Sequence, residues 1–261
     1  MRWNPHSTGH KPPEIQSLLA PEFKIPNTPN KTSQQNLKPP NPFQSTMKPT
    51  IIPPMQFYKL YNQENYSEVE NLIKFCTTCN LITSDQNQIQ TGLFNPIFTN
   101  GKLYLHLNKK DQQVTHMKNT NSATMVFQDV LAQFPSYWAD ENYAGAATTY
   151  YRYAELNCKV SFFDDPNQQI PILESMMVDY QPEGKYQKIS YDNPIYTKKL
   201  DMILIADFEI IDFKAKWKLG QNRPVEFRKE ISEKFRARNE GSDKRCADEI
   251  EKWIGQHCGN L

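Results

Sequence analysis

Side chains able to hold an anion or a carbonyl-rich ligand gather in three places along this chain. The first is Lys216-Trp217-Lys218-Leu219-Gly220-Gln221-Asn222-Arg223-Pro224. Ile211, Phe213, Ala215, Trp217 and Leu219 alternate there with Asp212, Lys214, Lys216 and Lys218, the period of a half-buried strand. Gly220 ends that strand, and Gln221, Asn222 and Arg223 then present donors in a row. Such donors either reach a ligand or tie down orphan backbone groups of the loop. Asn222 suits a helix cap and Pro224 a first helical position, so a helix is expected to follow. The second place is Asn108-Lys109-Lys110-Asp111-Gln112-Gln113, directly after a strand-like run. Two ammonium groups beside free helix-start amides would seat a phosphate; the plainer reading is a solvated turn. The third is a pair of segments rich in rings and hydroxyls, Pro135-Ser136-Tyr137-Trp138 and Thr148-Thr149-Tyr150-Tyr151. Flat rings with a few donors suit a planar heteroaromatic ligand, and equally an aromatic barrel rim.

Other chemistries are poorly served. Cys76 and Cys79 have the spacing of half a zinc site, but no second pair follows. Cys246, His257 and Cys258 lie at the chain end. His106 and His116 have no nucleophile and acid arranged around them as a triad requires, and His106 reads as a satisfied barrel histidine. With nine glycines and no glycine-rich phosphate loop, dinucleotide and nucleoside-triphosphate folds are not expected. A net charge of +1 supplies no global field toward nucleic acid. From Arg223 to Lys252, nine Lys/Arg are interspersed with eight Asp/Glu, so direct DNA binding by this segment is not expected. No apolar run is long enough for a membrane span, and no charged-then-apolar leader opens the chain. Five scattered cysteines fit a reducing compartment, so a cytoplasmic protein is expected.

These groups need elements to position them. Residues 1–54 hold 12 of the 19 prolines and read as a disordered tail, with Leu18–Leu19 and Ile51–Ile52 its only apolar pairs. Ser67 with Glu70 forms a capping-box pattern ahead of Val69, Leu72, Ile73 and Cys76. Strand-like runs follow at 79–83 and 89–99, and Asn100-Gly101 marks a hairpin into 102–107. A short helix over 112–118, strands over 123–128 and 150–163, and a helix over 168–180 come next. Residues 184–199 read as a polar, tyrosine-rich connection. In 202–219 the apolar set changes register at Ile210–Ile211, which requires a bulge or bend. Phe227, Ile231 and Phe235, then Cys246, Ile250, Trp253 and Ile254, mark two closing amphipathic helices. The expected fold is mainly β with α additions: a β-barrel over 55–222 and a helical pair over 223–258 packed on it.

The Lys216–Pro224 stretch and the strand before it resemble the C-terminal signature of PaiB-type FMN-binding negative transcriptional regulators. Further upstream, Asn95-Pro96-Ile97-Phe98, His106-Leu107-Asn108-Lys109-Lys110, Met125-Val126-Phe127-Gln128 and Ala147-Thr148-Thr149-Tyr150-Tyr151 resemble that family's barrel segments. The resemblance spans about residues 52–256. It implies an FMN-binding split β-barrel, a homodimer with a flavin-type pocket at the subunit interface, and a regulatory role. The alternatives are an oxidoreductase of the pyridoxamine-phosphate-oxidase type, or an interaction protein that keeps the barrel without a cofactor. The residues implied at the flavin are Asn95, Lys109, Lys110, Ser136, Trp138, Thr148, Thr149, Tyr150, Lys218, Gln221, Asn222 and Arg223.

Overall fold

The computed structural model describes residues 59–257. The expected tail, 1–54, lies outside them. In chain order the main elements are α1 (Tyr66–Phe75), β1 (Cys79–Asp85), β2 (Gln88–Phe94), β3 (Ile97–Thr99) and β4 (Lys102–Asn108). Next come α2 (Gln112–Thr120), β5 (Ser122–Phe134), β6 (Thr148–Phe163) and α3 (Pro166–Tyr180). The chain continues with α4 (Pro194–Met202), β7 (Ile203–Lys218), α5 (Val225–Arg238) and α6 (Asp243–His257).

The strands form one antiparallel sheet in the order β2-β1-β5-β6-β7-β4-β3. Three strands separate β1 from β4, yet Leu81 of β1 and Leu103, Leu105 and Leu107 of β4 share one buried core. The sheet therefore curls on itself into a split barrel, as the sequence leads one to expect. Its two short turns have left-handed residues at both central positions, Gln86-Asn87 (φ 45° and 64°) and Asn100-Gly101 (φ 53° and 72°). That conformation matches the natural strand twist. The single run expected over 89–99 is two strands, because Pro96 has no N–H to continue a ladder.

The register change at Ile210–Ile211 is a real bulge. Asn157 pairs with Asp212 and Cys158 with Ile210, leaving Ile211 unpaired and 63% exposed. Before it, Leu204, Ala206 and Phe208 face the core; after it, Ala215, Trp217 and Leu219 do. One extra residue thus keeps both halves of a 16-residue strand apolar inward while the strand bends.

Three helix boundaries differ from expectation. The N-cap of α1 is Asn65, whose Oδ1 accepts from Ser67 N at 3.0 Å, and Glu70 pairs with Lys74 instead of closing a capping box. The segment 184–199, expected to be a connection, ends in α4, started by Asn193 and Pro194. Leu200 there joins Tyr104, Leu173 and Ile205 in a second, smaller core. Asn222 does not cap α5; Pro224 holds that position and makes no side-chain cap bond. The closing helices bury the expected stripes except for Phe227, which is partly buried, and Ile231, Phe235, Cys246 and Ile250 belong to the barrel core. Among the described residues no helix is long and apolar enough to cross a membrane.

Candidate functional site

Antiparallel pairing sets Tyr151 of β6 against Lys218 of β7. The start of one long strand therefore meets the end of the other. A cavity of about 240 Å³ opens at this junction. Phe134, Tyr150 and Phe227 supply ring walls, and Gly145, Ala146 and Ala147 a small-residue wall. Thr148, Tyr150, Lys218, Asn222 and Arg223, all expected at the ligand, line it together. Among the described residues no carboxylate lines it.

Lys218, Thr148, Tyr150 and Arg223 are each held by a neighbour. Lys218 Nζ donates to Thr148 Oγ1. Burial, reinforced by Lys216, holds the Lys218 ammonium below the usual lysine range. Tyr150 is 4% exposed, lies parallel to Phe134 at 5.7 Å between ring centroids, and meets Phe235 edge-on. Burial raises its hydroxyl well above the ordinary tyrosine range, so it stays a neutral donor. The guanidinium of Arg223 lies over the Phe227 ring at 5.7 Å, and Arg223 N donates to Gly220 O at 2.9 Å, closing a turn.

Gly220 is required at that turn. Its φ of +77° is left-handed, and a Cβ there would sit 2.6 Å from the Tyr150 hydroxyl oxygen. Gly220→Ala is expected to lower stability by about 1–2 kcal/mol from the backbone alone, and to push Tyr150 off its stack. Urea denaturation would show it; an unchanged midpoint would mean that the turn relaxes freely.

The remaining expected residues lie elsewhere. Gln221 is spent on the backbone: its Oε1 accepts from Leu219 N at 2.8 Å and its Nε2 donates to Trp217 O at 2.6 Å. Thr149 Oγ1 donates to Gln133 Oε1 at 3.0 Å. Ser136 and Trp138 form a short turn after β5, where Trp138 backs the cavity wall against Phe134 and Phe235 under Arg238. Asn95 Nδ2 donates to Thr77 O at 3.0 Å at the break between β2 and β3.

Lys109 and Lys110 are far from this group. Asn108 pairs with Ile203 at the first residue of β7, whereas Lys218 is its last. The strand path between them is roughly 50 Å at about 3.3 Å per residue. Lys109 pairs with Asp164 at 3.0 Å. The α2 amide that would have been free, Gln113 N, is capped by Asp111 at 2.8 Å. A lysine on a neutralising acid and an occupied helix start leave less for a phosphate than the sequence suggests.

The other candidates are structural. Burial pushes the Cys76 thiol up to about 11 and that of Cys79 to about 12, so neither is a ready nucleophile or ligand. No metal-type cluster of three or more His, Cys, Asp or Glu exists among the described residues. His116 Nδ1 lies 3.4 Å from Thr83 Oγ1. His106 Nδ1 is buried without a partner, so that histidine is not satisfied as expected, and burial alone lowers its pKa. Sequence reasoning missed Phe134, Phe227 and the 145–147 wall.

Residues 55–212 match the family model described as "Putative FMN-binding domain". This chain belongs to that FMN-binding family. The matched segment supplies Phe134, Thr148 and Tyr150; the Lys218–Arg223 loop follows it. No curated protein matches the sequence. Among solved structures, the flavocytochrome Anf3 from Azotobacter vinelandii is similar at a TM-score of 0.52 and 10% identity, over 62% of this chain and 72% of that one. The FAD and heme binding protein from Mycobacterium smegmatis follows at 0.49 and 10%, over 61% and 74%. At such identities the first likeness is one of fold. The donor set fits a flavin: Thr148, Tyr150 and Asn222 suit its carbonyl and ring-nitrogen edge, and Phe134 and Phe227 its ring.

Proposed function

We propose that this protein is a regulatory flavoprotein of the PaiB type, binding FMN at a pocket completed by a second copy of the chain. The observation that carries the reading is the junction of β6 and β7. There, rings, hydroxyls and two cations from the signature loop line one cavity in a chain of the FMN-binding family. Bound FMN would supply hydride or single-electron chemistry. Tyr150, Thr148 and Asn222 would orient it, and Phe134 and Phe227 would exclude water from one side.

Two features support a pocket shared between subunits. At 240 Å³ the cavity is smaller than typical ligand sites, which begin near about 300 Å³. Tyr137 and Tyr143, on the loop between β5 and β6, are 61% and 62% exposed, leaving large rings for a second chain to cover. Sedimentation of the FMN-loaded protein is expected to give about twice the 30.5 kDa chain mass. A monomer that still holds FMN would defeat the shared pocket. Mixing the loaded protein with reduced nicotinamide is expected to give negligible turnover. Steady turnover at about 1 s⁻¹ or faster would select an oxidoreductase of the pyridoxamine-phosphate-oxidase type instead.

A further inference from the structure

Six arginines lie among the described residues, and four of them, Arg152, Arg236, Arg238 and Arg245, hold carboxylates. The two without an ion pair are Arg223 and Arg228. Both lie close enough to the Tyr150 hydroxyl to oppose the rise that burial imposes on it. Arg228 is 9% exposed, and its Nε is buried without a hydrogen-bond partner. Taking that Nε out of water without an acceptor carries a desolvation cost that a ligand oxygen would relieve. Among the described residues Lys218 at the same junction also lacks a carboxylate, and its hydrogen bond is to a threonine hydroxyl. The first turn of α5, which carries Arg228, has no side-chain cap, so its leading amides keep no side-chain acceptor at the positive end of the helix dipole. Glu226, the acid in that turn, is exposed and makes no ion pair among the described residues.

The geometry points to a seat for a phosphate-type anion, formed by Lys218, Arg223, Arg228 and the open first turn of α5. Two guanidinium forks, an ammonium and uncapped amides match the several oxygens of a phosphate monoester. Arg223 is held over the Phe227 ring at 5.7 Å, and Arg228 is held on the buried side of α5. The anion is either the phosphate of FMN itself, which rests on the flavin reading, or that of a separate phosphorylated ligand beside the flavin.

The test uses the full chain, its Arg228→Met and Lys218→Met variants, and three probes: inorganic phosphate, FMN and riboflavin. Melting temperature and calorimetric affinity are read for each. Phosphate is expected to raise the wild-type melting temperature by mass action. Ligand-free Arg228→Met is expected to melt no lower than wild type, since it removes an unpaired buried charge, and to lose the phosphate shift. Lys218→Met is expected to shrink that shift, and it serves alone if Arg228→Met does not fold. If the occupant is FMN, both variants bind FMN about 10-fold to 150-fold more weakly, and Arg228→Met binds riboflavin unchanged. Equal affinities for FMN and riboflavin, with a phosphate shift that depends on Arg228, assign the seat to a separate phosphorylated ligand. If no flavin binds but that shift persists, the seat stands and the flavin reading alone fails. No phosphate shift in wild type, or a shift untouched in both variants, overturns the seat.

Discussion

Asp129→Ala is expected to cost the fold about 3–5 kcal/mol. Asp129 on β5 is 6% exposed, and its Oδ2 accepts from Arg152 Nε at 3.0 Å and Nη2 at 2.7 Å. Arg245 of α6 donates to the same oxygen, and Arg152 Nη1 reaches Glu249 of α6 at 2.7 Å. Both guanidiniums lie over the Phe75 ring, at 5.3 Å and 4.4 Å. The cluster therefore joins α1, two central strands and the last helix. Removing the carboxylate leaves Arg152, whose side chain is 6% exposed, as a charge without its main partner. The cost arises from that stranded charge and not from the worth of the pair. The double replacement Asp129→Leu with Arg152→Met is accordingly expected to recover most of the loss. Urea midpoints of the wild type and the two variants decide it. A loss under about 1 kcal/mol for Asp129→Ala, the range of an exposed pair, would mean that apolar contacts alone hold α6.

Tyr150→Ala is expected to be as damaging, at about 3–5 kcal/mol. Its ring is stacked on Phe134 at an interplanar angle of 4° and meets Phe235, so truncation opens a void between the barrel and α5. Tyr150→Phe separates packing from binding. It keeps the ring, should hold stability within about 1 kcal/mol, and removes a neutral donor from the cavity. Flavin affinity is then expected to fall about 2-fold to 12-fold. A Tyr150→Phe protein with wild-type flavin affinity would show that the hydroxyl serves only the fold.

Much of the barrel was legible because its signals are local and periodic. The bulge at Ile211 is visible as a change of apolar phase, and the Asn100-Gly101 turn as a residue pair suited to left-handed backbone. The helix α4 was not, because Pro194–Met202 carries a weak apolar pattern and buries only Leu200. The expected capping box failed for a similar reason: Asn65 and Ser67 both suit a cap, and only the chain direction chooses between them.

The site was legible in part. Thr148, Tyr150, Lys218, Asn222 and Arg223 were named from their chemistry, and strand pairing brings them together. Gln221 met the same criterion, but its amide satisfies the loop's own backbone. Lys109 and Lys110 looked equally fit for an anion, because sequence does not reveal that Lys109 pairs with Asp164 or that Asp111 caps the start of α2. Arg228 passed unnoticed among the charges of α5. It lies three residues before Ile231 and seven before Phe235, so helical period alone placed it on the buried stripe.

The most direct test of the central claim is a titration of the purified chain with FMN, followed by flavin fluorescence and absorbance. The expected result is saturable binding of one FMN per chain with a Kd of about 1 µM or tighter, roughly 8 kcal/mol, and a flavin that stays with the protein through gel filtration. Fluorescence and absorbance unchanged from free FMN at about 100 µM, a free energy of only about 5 kcal/mol, would contradict it.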